Sequence, residues 1–166
     1  EAPARQGGTA TDDEQTLIHG MFVNLVSAAE KYLETMSYGT LDFTFRPLYR
    51  WLRMPHSLSA LYADSDSNLG NAISSFMLID DAISLADPDF DFEGIDSVVV
   101  IATPRADSIQ GGAALLSPDW HSYADDQTIG NATVLGSGPG AGPRIAHELG
   151  HNLGLPDLYD THVKLD

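Results

Sequence analysis

The feature that most constrains the fold of this chain is the run SVVVIA at positions 97–102, which is mostly apolar and β-branched. The run is too short for a typical helix and too apolar for a strand with one face in solvent. Strands that are buried on both faces of a sheet have this composition. We therefore predict that residues 97–102 form a central strand that anchors a β-sheet.

Two stretches upstream of this strand have the apolar spacing of helices. The first covers residues 12–37, where apolar side chains recur on one face, aspartates mark the start and Gly39 follows the end. The second covers residues 60–86. Its predicted buried face consists of Ile73, Phe76, Met77 and Ile83.

Alternation of apolar and polar side chains predicts a further strand at residues 41–45. Residues 48–56 contain good strand formers and could extend the sheet until Pro55 interrupts them. Short apolar pieces within a loop-rich region predict two more strands, at 113–116 and 133–135. The chain therefore mixes long helices with short strands.

The composition narrows the class of protein. The chain has 166 residues, enough for one domain with a sizeable core, and it contains no cysteine, which excludes disulfides and thiolate metal sites. Its 24 acidic residues outnumber 8 basic ones, and the net charge of −16 repels nucleic acid and anionic membranes. No apolar run reaches the roughly 18 residues that a transmembrane helix needs. We expect one soluble domain that has neither nucleic acid nor a membrane as its partner.

A segment near the end of the chain contains the pattern H-E-x-x-H, formed by His147, Glu148 and His151. Pro143 suits a first helical turn and a glycine follows the segment, which predicts a helix over residues 143–153. Histidines four positions apart project from one helical face, where they can bind one metal ion. Glu148 lies about 100° round the helix from the first histidine and can reach the open side of the ion, the position of a general base.

A third metal ligand is expected downstream, because catalytic zinc sites usually have three protein ligands and keep one position for water. Gly154 lets the chain reverse at the helix end in a backbone conformation that other residues resist. Asp157 follows six residues after His151, so the reversal can return its carboxylate to the ion. We therefore predict a zinc ion bound by His147, His151 and Asp157.

Residues 147–160, with the sequence HELGHNLGLPDLYD, closely resemble the active-site segment of the immune inhibitor A family of metallopeptidases. The pattern H-E-x-x-H-x-x-G-x-x-D is also similar to that of the snapalysin family, whose aspartate is the third zinc ligand, and this resemblance gives that role to Asp157. The resemblance to the first family covers most of residues 14–160. It includes three upstream segments: 36–43 (MSYGTLDF), 51–55 (WLRMP) and 87–91 (DPDFD).

The resemblance implies an α+β fold of the zincin or metzincin type, with a twisted mixed sheet, a long backing helix at 12–37 and an active-site helix at 143–153. It also implies a secreted, extracellular zinc endopeptidase that hydrolyses peptide bonds in protein or peptide substrates. In such an enzyme zinc polarises the scissile carbonyl, while Glu148 takes a proton from water and passes it to the leaving amine.

Two features depart from the family pattern. Metzincins carry a methionine turn downstream of the zinc helix, whereas the four methionines here, at positions 21, 36, 54 and 77, all lie upstream. We therefore expect residues 1–166 to be the upper portion of a catalytic domain, with the downstream part missing or on another chain with which it associates. The insert that the family carries before the central strand is also shortened, to residues 92–96.

Calcium is the second candidate ion. Two acidic series, at residues 64–68 and 87–91, alternate like calcium ligands, but the first has its glycine displaced to position 70 and no glutamate closes the loop. We interpret both series as solvated turns and the acidic excess as a contribution to solubility. The alternative function, from a different class, is a catalytically inactive calcium-binding or adhesion module.

Overall fold

The computed structural model of the chain describes residues 12–56, 68–103, 112–116 and 120–157. Three α-helices lie in these ranges, together with a short 3₁₀ helix at Asp87–Asp89. They are α1 (Asp12–Met36), α2 (Asn68–Ala86) and α3 (Ala141–Asn152). The strands are β1 (Val98–Ala102), β2 (Gly112–Leu116), β3 (Ser122–Ala124), β4 (Gln127–Ile129) and β5 (Asn131–Gly136).

The first helix has the predicted extent. Its apolar face is buried through Val26, Ala29 and Leu33, which recur at the spacing of one helical side. The helix ends where Gly39 takes a positive φ of 73° and donates its backbone N–H to the carbonyl of Glu34 at 2.8 Å. A glycine in this conformation terminates a helix without strain, so the sequence signal at residue 39 is confirmed.

The second helix confirms the prediction only in part, since residues 60–67 lie outside the described ranges. Ile83 is buried as predicted, but Met77 is 45% exposed and that assignment is wrong. The buried stripe is centred on Ile79 and Ala82, and Met77 lies about 200° round the helix from Ile79. Phe76 is half-buried, and the side chain of Ile73 is not described.

The main sheet has three described strands in the order β1-β5-β2. β1 pairs with β5 in parallel, and β2 pairs with β5 in the antiparallel sense. The strands predicted at 113–116 and 133–135 are confirmed as parts of β2 and β5. The strand predicted at 97–102 is confirmed as β1, but among the described strands its predicted central position is wrong, because β5 holds the centre and β1 has a single neighbour.

Residues 41–56 form no strand, in contrast to the prediction. Phe43 and Phe45 still pack beside β1, but the backbone of this segment joins no ladder. Its position is fixed instead by Arg46, whose guanidinium donates to the carbonyls of Asp91 and Glu93 at 2.7 and 3.0 Å. The alternation of apolar and polar side chains at residues 41–45 therefore reflects the burial of one side of this segment and does not indicate strand pairing.

The three-stranded sheet is covered on both faces. On one side α2 packs on a core that includes Ala132 and Val134 of β5, with Val98 and Val100 of β1 beside it. On the other side α1 and α3 pack around Leu135 of β5. The resulting α+β arrangement places α3 directly on the sheet.

Helices α1 and α3 cross closely over the sheet. A Cβ built on Gly142 would lie 2.8 Å from the Cβ of Ala28, so only glycine fits there without a shift. Within the described residues, no helix is both long and apolar enough to cross a bilayer.

Candidate metal centre

Helix α3 begins and turns as its sequence demands. Gly140 precedes it with a φ of 80°, and Pro143 lies in the first turn, where its missing N–H leaves no intrahelical bond unmade. Ile145 and Leu149 are buried against the sheet and α1. The histidines of H-E-x-x-H therefore point away from the core, as positions on the opposite helical face must.

The structure brings the three predicted metal ligands together. The Nε2 atoms of His147 and His151 are 3.2 Å apart, and each is 3.3 Å from Oδ1 of Asp157. Three donor atoms thus form a nearly equilateral triangle. Within the described parts of the chain, this is the group of histidine and acidic side chains that is compact enough to hold a metal ion.

The turn after α3 explains how Asp157 reaches the histidines. Gly154 has a φ of 85° and donates its N–H to the carbonyl of His151 at 2.8 Å, while Leu155 donates to the carbonyl of Gly150 at 3.0 Å. This pair of bonds is the Schellman motif, which ends a helix and reverses the chain. The predicted role of Gly154 in the reversal is therefore confirmed.

The same turn orients one histidine ring. Nδ1 of His151 donates to the carbonyl of Leu155 at 2.8 Å, which leaves the lone pair of Nε2 directed at the triangle. Hydrogen bonds of this kind fix the tautomer and the ring plane of metal-binding histidines. One reversal of the chain therefore positions both the Asp157 carboxylate and the His151 imidazole.

Glu148 is buried, with 7% of its surface accessible, although His147 directly before it is exposed. Burial raises the pKa of its carboxyl above the ordinary value, because the charged form loses solvation. The neighbouring His147 and His151 oppose this rise in pKa, and Asp157 adds to it. Glu148 therefore shares the electrostatic environment of the three ligands.

The triangle is open to solvent on one side. The side chains of His147, His151 and Asp157 are 42%, 21% and 32% exposed. An ion held there would keep access to water and to an external molecule. This exposure distinguishes the centre from a closed structural site, in which protein ligands fill every position.

The other candidate residues do not join this centre. Asp89 and Asp91 are exposed and pair with Arg50 and Arg46, at 2.5 and 3.6 Å. The series at 87–91 is thus engaged with arginines. The series at 64–68 lies almost wholly outside the described residues, as do Tyr159, Asp160 and His162.

Sequence reasoning missed the residue that ties α3 to the sheet. Asn152 accepts a hydrogen bond from Ser97 Oγ at 3.2 Å and donates to the carbonyl of Ala132 at 3.5 Å. It directly follows His151, so these bonds hold the ligand-bearing end of α3 against β1 and β5. Its place beside the second histidine is the only signal that the sequence offers.

The chain was also compared with known proteins. No family model, curated protein or solved structure matches it.

Proposed function

We propose that the protein is a zinc-dependent peptidase in which His147, His151 and Asp157 bind the ion and Glu148 is the general base. The observation that carries the proposal is the triangle of two imidazole nitrogens and one carboxylate oxygen, 3.2 to 3.3 Å on a side.

The donor set and its dimensions favour zinc. Ligands arranged tetrahedrally about 2.0–2.1 Å from a zinc ion lie about 3.3–3.4 Å from one another. The observed separations agree with this value. Calcium and magnesium take oxygen ligands, so two imidazoles among three donors argue against the calcium-binding alternative.

The presence of three ligands among the described residues favours catalysis. Catalytic zinc sites supply three protein ligands and leave the fourth position for water or substrate, whereas structural sites use four. The exposure of the centre leaves such a position accessible from solvent. An ion bound there polarises a substrate carbonyl and lowers the pKa of the water it coordinates toward neutrality.

Glu148 has the properties of a general base in this reaction. A carboxylate accepts a proton from water more effectively when its pKa lies nearer the working pH, and burial raises the pKa of Glu148 in that direction. The carboxyl can then pass the proton to the leaving amine. Its buried side chain has little freedom to move away from the centre.

The substrate class rests on the resemblance of residues 147–160 to metallopeptidase active sites. Hydrolysis of peptide bonds is the reaction that this resemblance implies, and secretion is the location that goes with it. A zinc centre of this geometry supports hydrolysis of a polarised carbonyl, which agrees with that assignment.

Substitution of the proposed base tests the function. In the zinc-loaded protein, Glu148→Gln preserves size but cannot accept the proton, so kcat/KM on a fluorogenic peptide library should fall by about 100-fold or more. Zinc content, measured by atomic absorption, should stay at one ion per chain. Glu34→Gln, at an exposed position of α1, is the matched control and should retain full activity. The assay uses the complete enzyme, including any chain downstream of residue 166, and full activity in its zinc-loaded Glu148→Gln variant would contradict the proposal.

A further inference from the structure

The last turn of α3 carries one predicted metal ligand and leads to another. His151 is the next-to-last residue of the helix, and Asp157 follows it by six positions. Helices open most easily at their ends. Opening of this turn would take His151 out of the helical spacing that places its Nε2 atom 3.2 Å from that of His147. A contact that keeps the turn helical therefore also preserves the triangle of ligand atoms.

Asn152 occupies a position on the buried side of α3. Ile145 and Leu149 are 0% and 3% exposed, and Asn152 continues their row at the spacing i, i+4, i+7 of one helical side. The sequence thus has an amide where the row would continue with an apolar side chain. This amide is half-buried. Because burial of an amide is unfavourable without hydrogen bonds, its partners determine where the side chain lies.

Both polar groups of the Asn152 side chain bond to the sheet. Oδ1 accepts a hydrogen bond from Oγ of Ser97 at 3.2 Å, and Nδ2 donates to the carbonyl of Ala132 at 3.5 Å. A carbonyl can only accept, so the NH₂ group must face Ala132 and the oxygen is left for the hydroxyl. The bond to Ala132 is at the long end of the range for N–H···O. The bond to Ser97 is therefore the stronger constraint.

The two partners lie at the same end of the sheet. Ser97 directly precedes β1, and Val98, the first residue of β1, pairs with Ala132 of β5. Asn152 therefore contacts two adjacent strands where their pairing begins. Hydrogen bonds are directional and apolar contacts are not. The contact of Asn152 thus fixes the rotation of the last turn more closely than packing of Ile145 and Leu149 can.

We propose that Ser97 and Asn152 are a positioning pair for the metal centre, whose contact holds the last turn of α3 so that the ligand atoms are arranged before an ion binds. His151 directly precedes Asn152, and the turn that returns Asp157 begins directly after it. Supporting contacts of this kind hold a site within about 0.5 Å of its working geometry. The inference rests on the metal binding of the proposed function and does not depend on the hydrolysis.

Zinc affinity of the complete protein, including any chain downstream of residue 166, tests the pair. Ser97→Ala removes the hydroxyl donor and leaves the sequence of α3 unaltered, so it should lower zinc affinity by about 10–100-fold in a chelator competition. Asn152→Ala should lower it at least as much. Ser97→Thr keeps a hydroxyl and should retain the wild-type affinity. Ser97 lies 55 positions from Asn152, so its effect cannot come from the helix propensity of α3.

Asn131 supplies a matched control. Its Nδ2 donates to the carbonyl of Asp96 at 3.4 Å, a bond that joins the same ends of β1 and β5 and involves no residue of α3. Asn131→Ala therefore removes a comparable amide and a comparable hydrogen bond. It should lower the urea midpoint of the metal-free protein and leave zinc affinity unchanged.

Cobalt substitution separates positioning from a general contribution to stability. The visible absorption of bound cobalt(II) reports its coordination geometry. Ser97→Ala and Asn152→Ala should weaken the tetrahedral absorption band, whereas loss of a merely structural contact would lower the urea midpoint and leave the spectrum of the metal-loaded protein unchanged. In the metal-free variants, exchange of the Leu153 amide, which donates to the carbonyl of Leu149 at 3.1 Å, should quicken.

The outcomes distinguish this inference from the proposed function. A wild-type protein that binds no zinc contradicts the proposed function, and the positioning pair falls with it. If the wild type binds zinc and both alanine variants have its affinity and its cobalt spectrum, the positioning pair alone is overturned. An equal loss of affinity in Asn131→Ala would also overturn it, because general weakening of the sheet would then be the cause. If Asn152→Ala does not fold, the comparison of Ser97→Ala with Ser97→Thr still decides.

Discussion

The end of α3 that carries the triangle of His147, His151 and Asp157 and the outer edge of β1 lie on either side of the same helix, yet they differ in completeness. At the end of α3, backbone groups find partners in the turn at Gly154, and three ligand atoms converge within 3.3 Å. At the edge of β1, Val99 and Ile101 face an apolar cavity of about 820 Å³. The first region is organised by contacts within eleven consecutive positions, 147–157, whereas no described strand lies beside the outer edge of β1.

This difference teaches that a preorganised centre can be encoded locally while the sheet that supports it is not. Asn152 joins the two regions, because it bonds to Ser97 at the start of β1 and to Ala132 of β5.

Removal of one predicted ligand should weaken zinc binding at the end of α3. Asp157→Ala leaves two imidazoles and should weaken zinc binding by at least about 100-fold, since loss of an outer-shell partner alone costs about 10–100-fold. A competition titration with a chromogenic chelator measures the affinity. Asp89→Ala is the control, because this exposed carboxylate pairs with Arg50 and lies in the other acidic series. If zinc affinity were unchanged in the Asp157 variant, the third ligand would have to be sought at Asp160 or His162.

Truncation of an apolar side chain should lower the free energy of unfolding more beside α3 than at the edge of β1. Ile145 is fully buried between α3 and the sheet, so Ile145→Ala should lower the free energy of unfolding by about 2–5 kcal/mol. Phe45 borders the cavity and is half-buried. Phe45→Ala should cost less than half of the roughly 3–5 kcal/mol that truncation of a fully buried phenylalanine costs. Urea denaturation of the metal-free protein gives both values, and a larger cost at Phe45 would mean that the edge is already well packed.

The sequence predicted the end of α3 better than it predicted the edge of β1. The ends of α1 and α3, the positive φ of Gly154 and the meeting of His147 and His151 depend on signals a few residues apart. Helical spacing and glycine conformation are local properties, so these predictions were confirmed.

The predictions that failed depend on partners distant in sequence. Residues 41–45 join no ladder with the described strands, and β1 has a described neighbour on one side only. Met77 was assigned to the buried face because apolarity alone does not fix the rotation of α2 against the sheet. Asn152 was missed because its hydrogen-bond partners lie 55 and 20 positions away.

The smallest effect is expected from a substitution at Gly154, in the turn after α3 that positions Asp157. A Cβ added to Gly154 meets no atom within 4 Å, so Gly154→Ala introduces only the strain of a positive φ, about 1–2 kcal/mol for a residue with a side chain. Relief of that strain would move both the carbonyl of Leu155 and the carboxylate of Asp157, so zinc affinity should fall by up to about tenfold.

Gly20→Ala is the matched control, because its added Cβ also meets no atom within 4 Å. Gly20 lies inside α1, where alanine should stabilise the protein by about 0.5–1 kcal/mol. Denaturation of the metal-free variants and chelator competition provide the two readouts. Equal stability and equal zinc affinity for Gly154→Ala and the wild type would show that contacts beyond the turn hold Asp157 in place, and the metal region would then be no more locally encoded than the edge of β1.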